Sequence, residues 1–184
     1  MKKKSIFFNL NSKKILEVVL WLANEKPGIT FHTAVKVLFF ADIEHLNKYG
    51  RPITGDNWCA LQYGPVPSYT YDLLKERPDI VEAIQEDSMP FCIEKNGTKP
   101  CIYAKRKAET EYLSDTDIEE LKCSLEKYGN LSFEKLTDIS HKHRAWKEAW
   151  ASRINDSGPI KYELMIEDDE MRKYVTELCR GMQF

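Results

Sequence analysis

Apolar residues recur along most of this chain at helical rather than alternating spacing. Ile15, Val18, Val19, Leu22 and Ala23 share one helical face, and Lys26-Pro27-Gly28 ends that segment. A second helix is predicted from about Thr30 to Tyr49, with the stripe Phe31, Val35, Leu38, Phe39, Ala41 and Leu46. Gly50 stands where a helix stops on a left-handed residue. Residues 51–67 are rich in turn formers, contain the β-compatible run Trp58–Tyr63 and close on Gly64-Pro65-Val66-Pro67. Ser68 then reads as the cap of a helix that runs to about Glu76 and that Pro78 terminates.

The period changes to two at Phe91-Cys92-Ile93 and Cys101-Ile102-Tyr103, which flank Asn96-Gly97 and predict a hairpin. With Asn96-Gly97 as the turn itself, Pro100 would fall on a hydrogen-bonded position, so a four-residue loop over Lys95–Thr98 is favoured. Phe91 and Ile93 then share a face with Ile102, and Cys92 lies opposite Cys101. Helical spacing resumes at Leu113-Ser114-Asp115-Thr116-Asp117-Ile118, where Ser114 and Asp117 form a capping box. It continues through Leu121, Leu125 and Tyr128 to Gly129. A helix opens at Ser132 and runs to about Lys142. Trp146 and Trp150 belong to another, Ser157-Gly158-Pro159 breaks it, and 168–180 reads as helix. The expected fold is α+β and mostly α-helical, a single compact domain with a small antiparallel β-hairpin or sheet.

The 184 residues suffice for one core, and 42% hydrophobic with 30% charged residues is ordinary for a soluble protein. A net charge of −2 argues against a large nucleic-acid footprint. The basic start, MKKKSIFFNL, has too short an apolar run for a signal peptide, and no stretch approaches a membrane span, so a cytoplasmic location is expected. Five cysteines without a CxxC pair argue for reduced thiols and against a zinc ribbon; no metal or cofactor is expected.

Candidate chemistry concentrates in 36–75. Asp42, His45 and Tyr49 share one helix face, so carboxylate and imidazole could form an acid/base pair. The same residues suit a buried polar bridge, with Asp42 orienting neighbouring backbone donors or Arg51. No nucleophile motif accompanies them, and the structural role is preferred over a hydrolase centred on Asp42/His45. Thr54-Gly55-Asp56 and Gly64-Pro65 are too sparse in glycine for a phosphate loop. His141 and His143, two apart, cannot ligate a metal together from one helix face, and His141 is assigned a capping or core hydrogen bond. Lys95, Lys99, Lys105, Arg106 and Lys107 make the hairpin and its exit basic, in the manner of a winged-helix DNA reader. The acidic run that follows favours a solvated surface, and nucleic acid is an unlikely partner.

The string F-A-D-I-E-H-L-N-K-Y-G-R-P-I-T-G-D-N-W-x-A-L-x-Y-G-P-V-P, from Phe40 to Pro67, resembles the signature of the Panacea, or SocA-like antitoxin, domain. L-S-D-T-D-I-E-E-L and Y-G-N-L-S-F-E-K-L-T-D-I-S-H-x-x-x-A-W resemble the same family, over about residues 10–155 in all. The resemblance implies a domain over 1–155 with a C-terminal helical extension, 156–184, packed on it. It implies an antitoxin that binds a cognate toxin, encoded by the adjacent gene, through direct protein contact. In one branch such a domain delivers the toxin to an AAA+ protease; no enzymatic activity is implied. The scaffold or partner-binding residues would be Asp42, His45, Tyr49, Arg51, Thr54, Asp56, Tyr63, Gly64, Pro65, Pro67, His141 and Trp146. The chain has no spare length for a separate helix-turn-helix domain, so transcriptional control is not expected. A DNA-binding regulator using the hairpin at 95–107 is the alternative.

Overall fold

The computed structural model describes residues 6–84 and 88–181. The basic start at 1–5 and the end of the expected extension, 182–184, lie outside them. The expected α+β, mostly helical architecture is what the chain forms.

Helix α1 (Ser12–Glu25) is capped by the Asn11 side chain, which accepts from the Lys14 amide, and all of Ile15–Ala23 is buried. The two-residue strand β1 (Ile29–Thr30) leads into α2 (Phe31–Tyr49). Thr30 caps α2, and Gly50 ends it at φ 73°. The stripe predicted for α2 understates its burial. Thr33–Ile43, His45 and Leu46 are all buried, because α3, α5, α6 and β3 surround the helix. A helix buried all round is the axis of a core rather than its cover.

Strands β2 (Trp58–Leu61) and β3 (Gly64–Pro67) form a hairpin where only one short strand was expected. Its register, Cys59 opposite Val66 and Leu61 opposite Gly64, explains how a strand can hold two prolines. In an antiparallel pair, hydrogen-bonded and non-bonded positions alternate. Counting from the two-residue turn, Pro65 and Pro67 both fall on non-bonded positions. β3 is also an edge strand, in the order β3-β2-β6, so their missing N–H groups cost no ladder bond.

Ser68 does not cap the next helix. It is the first residue of α3 (Ser68–Leu74), the cap position is Pro67, and the Ser68 hydroxyl turns to the Cys59 thiol at 3.4 Å. The helix ends at Leu74, short of Glu76. Pro78 opens α4 (Pro78–Ile84), since the first helical position needs no N–H.

β4 (Phe91–Asn96) and β5 (Lys99–Ala104) join through Gly97-Thr98, a two-residue turn in place of the expected four-residue loop. Moving the turn one residue beyond Asn96-Gly97 puts Pro100 opposite Lys95, again at a non-bonded position, which removes the objection to a tight turn. Ile93 faces Ile102 as expected, but Cys92 faces Tyr103 and Cys101 faces Glu94, so the two thiols are not opposed. β1 adds to β5, and the hairpin becomes a three-stranded sheet.

The capping box opens α5 (Asp115–Tyr128) as predicted, and Ser132 caps α6 (Phe133–Lys142). The capping histidine is His143, not His141: its ring accepts from the Ala145 amide at the start of α7 (Arg144–Ala151). Gly158 and Pro159, expected only to break a helix, form β6 beside β2, and α8 (Asp169–Gly181) follows. Ile160, Tyr162, Met165, Ile166 and Val175 belong to the same core as α1 and α2.

Gly158 shows how tightly β6 is pressed on α7. A Cβ there would meet the Ala149 carbonyl oxygen at 2.2 Å and Arg153 Cβ at 3.2 Å. The obstacle is backbone, which cannot rotate aside. Gly158→Ala should destabilise the protein by at least about 2 kcal/mol in chemical denaturation. A loss under about 0.5 kcal/mol would show that β6 is free to lift from α7.

Candidate functional site

Asp42 sits two-thirds of the way along α2 with no exposed surface, and its carboxylate is the anchor of the loop that follows the helix. Oδ1 accepts from the amides of Ile53 (2.9 Å) and Thr54 (3.3 Å). Oδ2 accepts from the Thr54 hydroxyl (2.9 Å) and the Trp58 indole (3.1 Å). Burial pushes the Asp42 carboxyl up to about 6, while these four donors pull it down. Both oxygens are therefore occupied in shaping 53–58, as the backbone-orienting reading expects. Arg51 is not among the partners.

A second buried carboxylate, Asp56, replaces the missing cap of α3. It accepts from the amides of Tyr69 (2.9 Å) and Thr70 (2.8 Å) and from the Thr70 hydroxyl (2.7 Å). Pro67 carries no acceptor, so the helix borrows one from the preceding loop. Burial raises the pKa of Asp56, opposed by the Thr70 and Tyr69 bonds. The Asp56 carbonyl in turn accepts from the Tyr162 hydroxyl at 2.7 Å, which ties the C-terminal segment to the same loop.

His45 turns to a different carboxylate. Its Nδ1 lies 2.8 Å from the Arg51 carbonyl and therefore carries the proton, and Nε2 is 3.0 Å from the Thr116 hydroxyl. Nε2 is also 3.2 Å from Asp117, the capping-box residue of α5. Burial lowers the His45 pKa. Asp117 further receives Lys14 at 2.7 Å and Arg51 at 3.0 Å. Burial raises its pKa, but Lys14, the Ser114 amide and Arg51 outweigh it, and the net shift is downward. The Asp42/His45 acid/base pairing considered from the sequence is thus replaced by two separate networks. One holds the loop to α2, and the other holds α2 to α1 and α5. Tyr49, partly exposed, packs its ring on His45 with centroids 4.6 Å apart.

Gly64 and Pro65 lie directly over Lys36, which is 1% exposed and donates from Nζ to the Pro65 carbonyl at 3.0 Å. A Cβ at Gly64 would meet Ser140 Oγ at 2.5 Å and Lys36 Cε at 2.6 Å, and its φ of 103° already favours glycine. His141 stacks on Trp146 at 3.6 Å and 10°, and the Trp146 indole donates to the Leu61 carbonyl at 3.0 Å. His141 is thereby placed as a ring platform beside the β2–β3 turn. Burial lowers its pKa, and neighbouring Lys36 lowers it further. Tyr63 stands exposed at the tip of that turn, with its ring 5.4 Å from Phe133.

The basic run after β5 is partly turned inward. Arg106 grips the fully buried Glu17 with two bonds of 2.7 and 2.9 Å, and the Glu109 amide adds a third at 2.7 Å. Burial raises the pKa of Glu17, but these donors outweigh it and hold it below the ordinary value. Among the described residues, no group of His, Cys, Asp and Glu is arranged to hold a metal ion. No described helix is long and apolar enough to cross a membrane.

Three residues of the site escaped the sequence reading: Lys36, Trp58 as a donor, and Asp117 as a hub. Lys36 left a signal, a lone cation inside the apolar run Val35–Phe40 of a helix buried all round. Asp117 was recognised as a cap, but its ion pairs come from residues far away in sequence.

Residues 35–147 match the family described as Antitoxin SocA-like, Panacea domain. The match covers more than half of the chain, and the chain belongs to that family. Neither the curated proteins nor the solved structures contain a match.

Burial pushes Lys36 down to about 7, whereas a lysine in the unfolded chain titrates near about 10.4. Between those values the unfolded state binds more protons, so this residue makes stability rise with pH. His32, lowered to about 4 by burial, and His141 flank Lys36 and do not titrate in that window. Urea denaturation of wild type and Lys36→Met at pH 7 and pH 10 should show wild type gaining on the variant as pH rises. Parallel profiles would mean that Lys36 is not desolvated in the folded protein.

Proposed function

We propose that this protein is a cytoplasmic antitoxin that binds a toxic partner protein directly and neutralises it, the partner being the product of the adjacent gene. Membership of the SocA-like family supports an antitoxin role in general. The observation that carries the finer reading is the fate of the signature's polar groups. Asp42 spends both oxygens on loop 53–58, and Asp56 spends both on the first turn of α3. His45 is committed to the Arg51 carbonyl and to α5. Groups so engaged serve as a frame, and a rigid frame lowers the ordering cost of presenting a binding surface. The aromatic side chains above that frame, Tyr63 among them, are then available to a partner.

Two modes of neutralisation fit this frame. In the first, the antitoxin occludes the toxin's working surface. In the second, it delivers the toxin to an AAA+ protease. The test is co-expression with the neighbouring gene. That gene alone should arrest growth, and adding this protein should restore it. With occlusion the toxin persists in complex; with delivery its level falls only in a protease-proficient host. A non-toxic neighbour, or toxicity that co-expression fails to relieve, would contradict the assignment.

A further inference from the structure

A cleft of about 660 Å³ opens beside the β2–β3 turn, between the start of α2, the start of β5 and the first turn of α6. That volume lies in the range of sites that enclose a ligand or an inserted side chain. Phe31, Tyr63, Val66, Tyr71, Leu131 and Phe133 form its apolar walls. Phe133 is braced from behind by His32, with ring centroids 4.0 Å apart, and His32 bonds Thr137 at 3.1 Å. Tyr63, 55% exposed, meets Phe133 edge-on across the opening. Fixed aromatic rings in a concave setting are the usual anchors of protein–protein recognition.

The charge around the cleft is of one dominant sign. Lys36 and Lys99 line it, against Glu134 alone, in a chain whose net charge is −2. Lys36 is the unusual member. Its ammonium can donate three hydrogen bonds, yet among the described residues it makes one, to the Pro65 carbonyl, and no ion pair. Buried cations are ordinarily paired. Glu17, Asp117 and Glu120, the other charged groups buried deeply in this fold, each meet an opposite charge. A carboxylate arriving from outside would supply the charge that Lys36 lacks.

We propose that this cleft docks an extended segment of the partner protein. That segment inserts a large apolar side chain between Tyr63 and Phe133 and directs an adjacent Asp or Glu toward Lys36 and Lys99. The identity of the partner rests on the antitoxin reading; the peptide chemistry does not. The surface is formed largely by Phe31, Lys36, Tyr63, Lys99 and Phe133, so different partners would share an apolar-acidic pair while differing elsewhere.

The test keeps the two readings separate. A random-peptide library displayed on phage is selected against the intact chain, and enriched peptides are measured by fluorescence polarisation. Enrichment of a large apolar residue beside Asp or Glu is expected. Replacing that acid by its amide should weaken binding about tenfold or more. Tyr63→Ala and Lys99→Glu change exposed side chains and should leave the circular-dichroism melt unchanged while weakening the same peptides about tenfold. Lys36→Met should weaken them similarly without lowering the melting temperature at pH 7. The inference is overturned if no peptide is enriched, if enriched peptides lack the acid, or if they bind the folded variants as tightly as wild type. Co-expression with the adjacent gene supplies the second readout. Full neutralisation by the Tyr63→Ala/Lys99→Glu variant would remove the cleft and leave the antitoxin role standing. A non-toxic neighbour, together with peptide binding that the variants abolish, would do the reverse.

Discussion

The fold depends on a carboxylate that has nowhere to go but inward. Asp42 lies on a helix enclosed on all sides, and an uncompensated charge there would cost several kcal/mol. Four donors from one short loop remove that cost, and in doing so they fix the path of the chain from Ile53 to Trp58. Once that path is set, Asp56 falls beneath the first turn of α3 and caps it, and Trp58 begins the β2–β3 hairpin. The hairpin turn then covers Lys36. Each of these depends on the one before it, so the loop behaves as part of the core although it contains little regular structure.

The second network explains why the helices around α2 keep their positions. Asp117 gathers Lys14 from α1, Arg51 from the end of α2 and its own helix cap, while His45 bridges to the same carboxylate. A carboxylate with three partners of this kind is held rather than merely neutralised. Glu17 plays a similar part on the other side of α1, where Arg106 and the Glu109 amide fasten the segment after β5. The result is a frame whose internal charges are matched, with Lys36 the exception, and that exception opens on the aromatic cleft.

Much of the helical content could be read directly. α1, α2, α5, α6 and α8 follow from apolar spacing and from side-chain or glycine caps, because those signals are local. The errors share one cause. Ser68 looked like a cap because its neighbours in sequence permit it, but the true acceptor, Asp56, is twelve residues earlier and reaches the helix only after the hairpin forms. His45 looked like a partner of Asp42 by helix spacing, but its partners lie on α5. Pro100, Pro65 and Pro67 were read as obstacles to pairing, although what matters is which of two alternating positions they occupy, and the turn sets that. Of the site, the polar members were legible as a cluster, but their division into two networks was not. Tyr63 and the Gly64-Pro65 turn were visible as motif residues, whereas the cleft beneath Tyr63 is assembled from α2, β3, β5 and α6 and has no continuous signature.

The central claim is that two buried carboxylates make the irregular loop as rigid as the helix it follows. Native-state hydrogen exchange of the Ile53, Thr54, Tyr69 and Thr70 amides tests it residue by residue, since each donates to Asp42 or Asp56. These four should exchange only through global unfolding, at the rates of interior α2 amides such as Phe39 and Ala41. Exchange at the rate of the exposed Gly97-Thr98 turn would contradict the account and leave the signature loop a flexible connection.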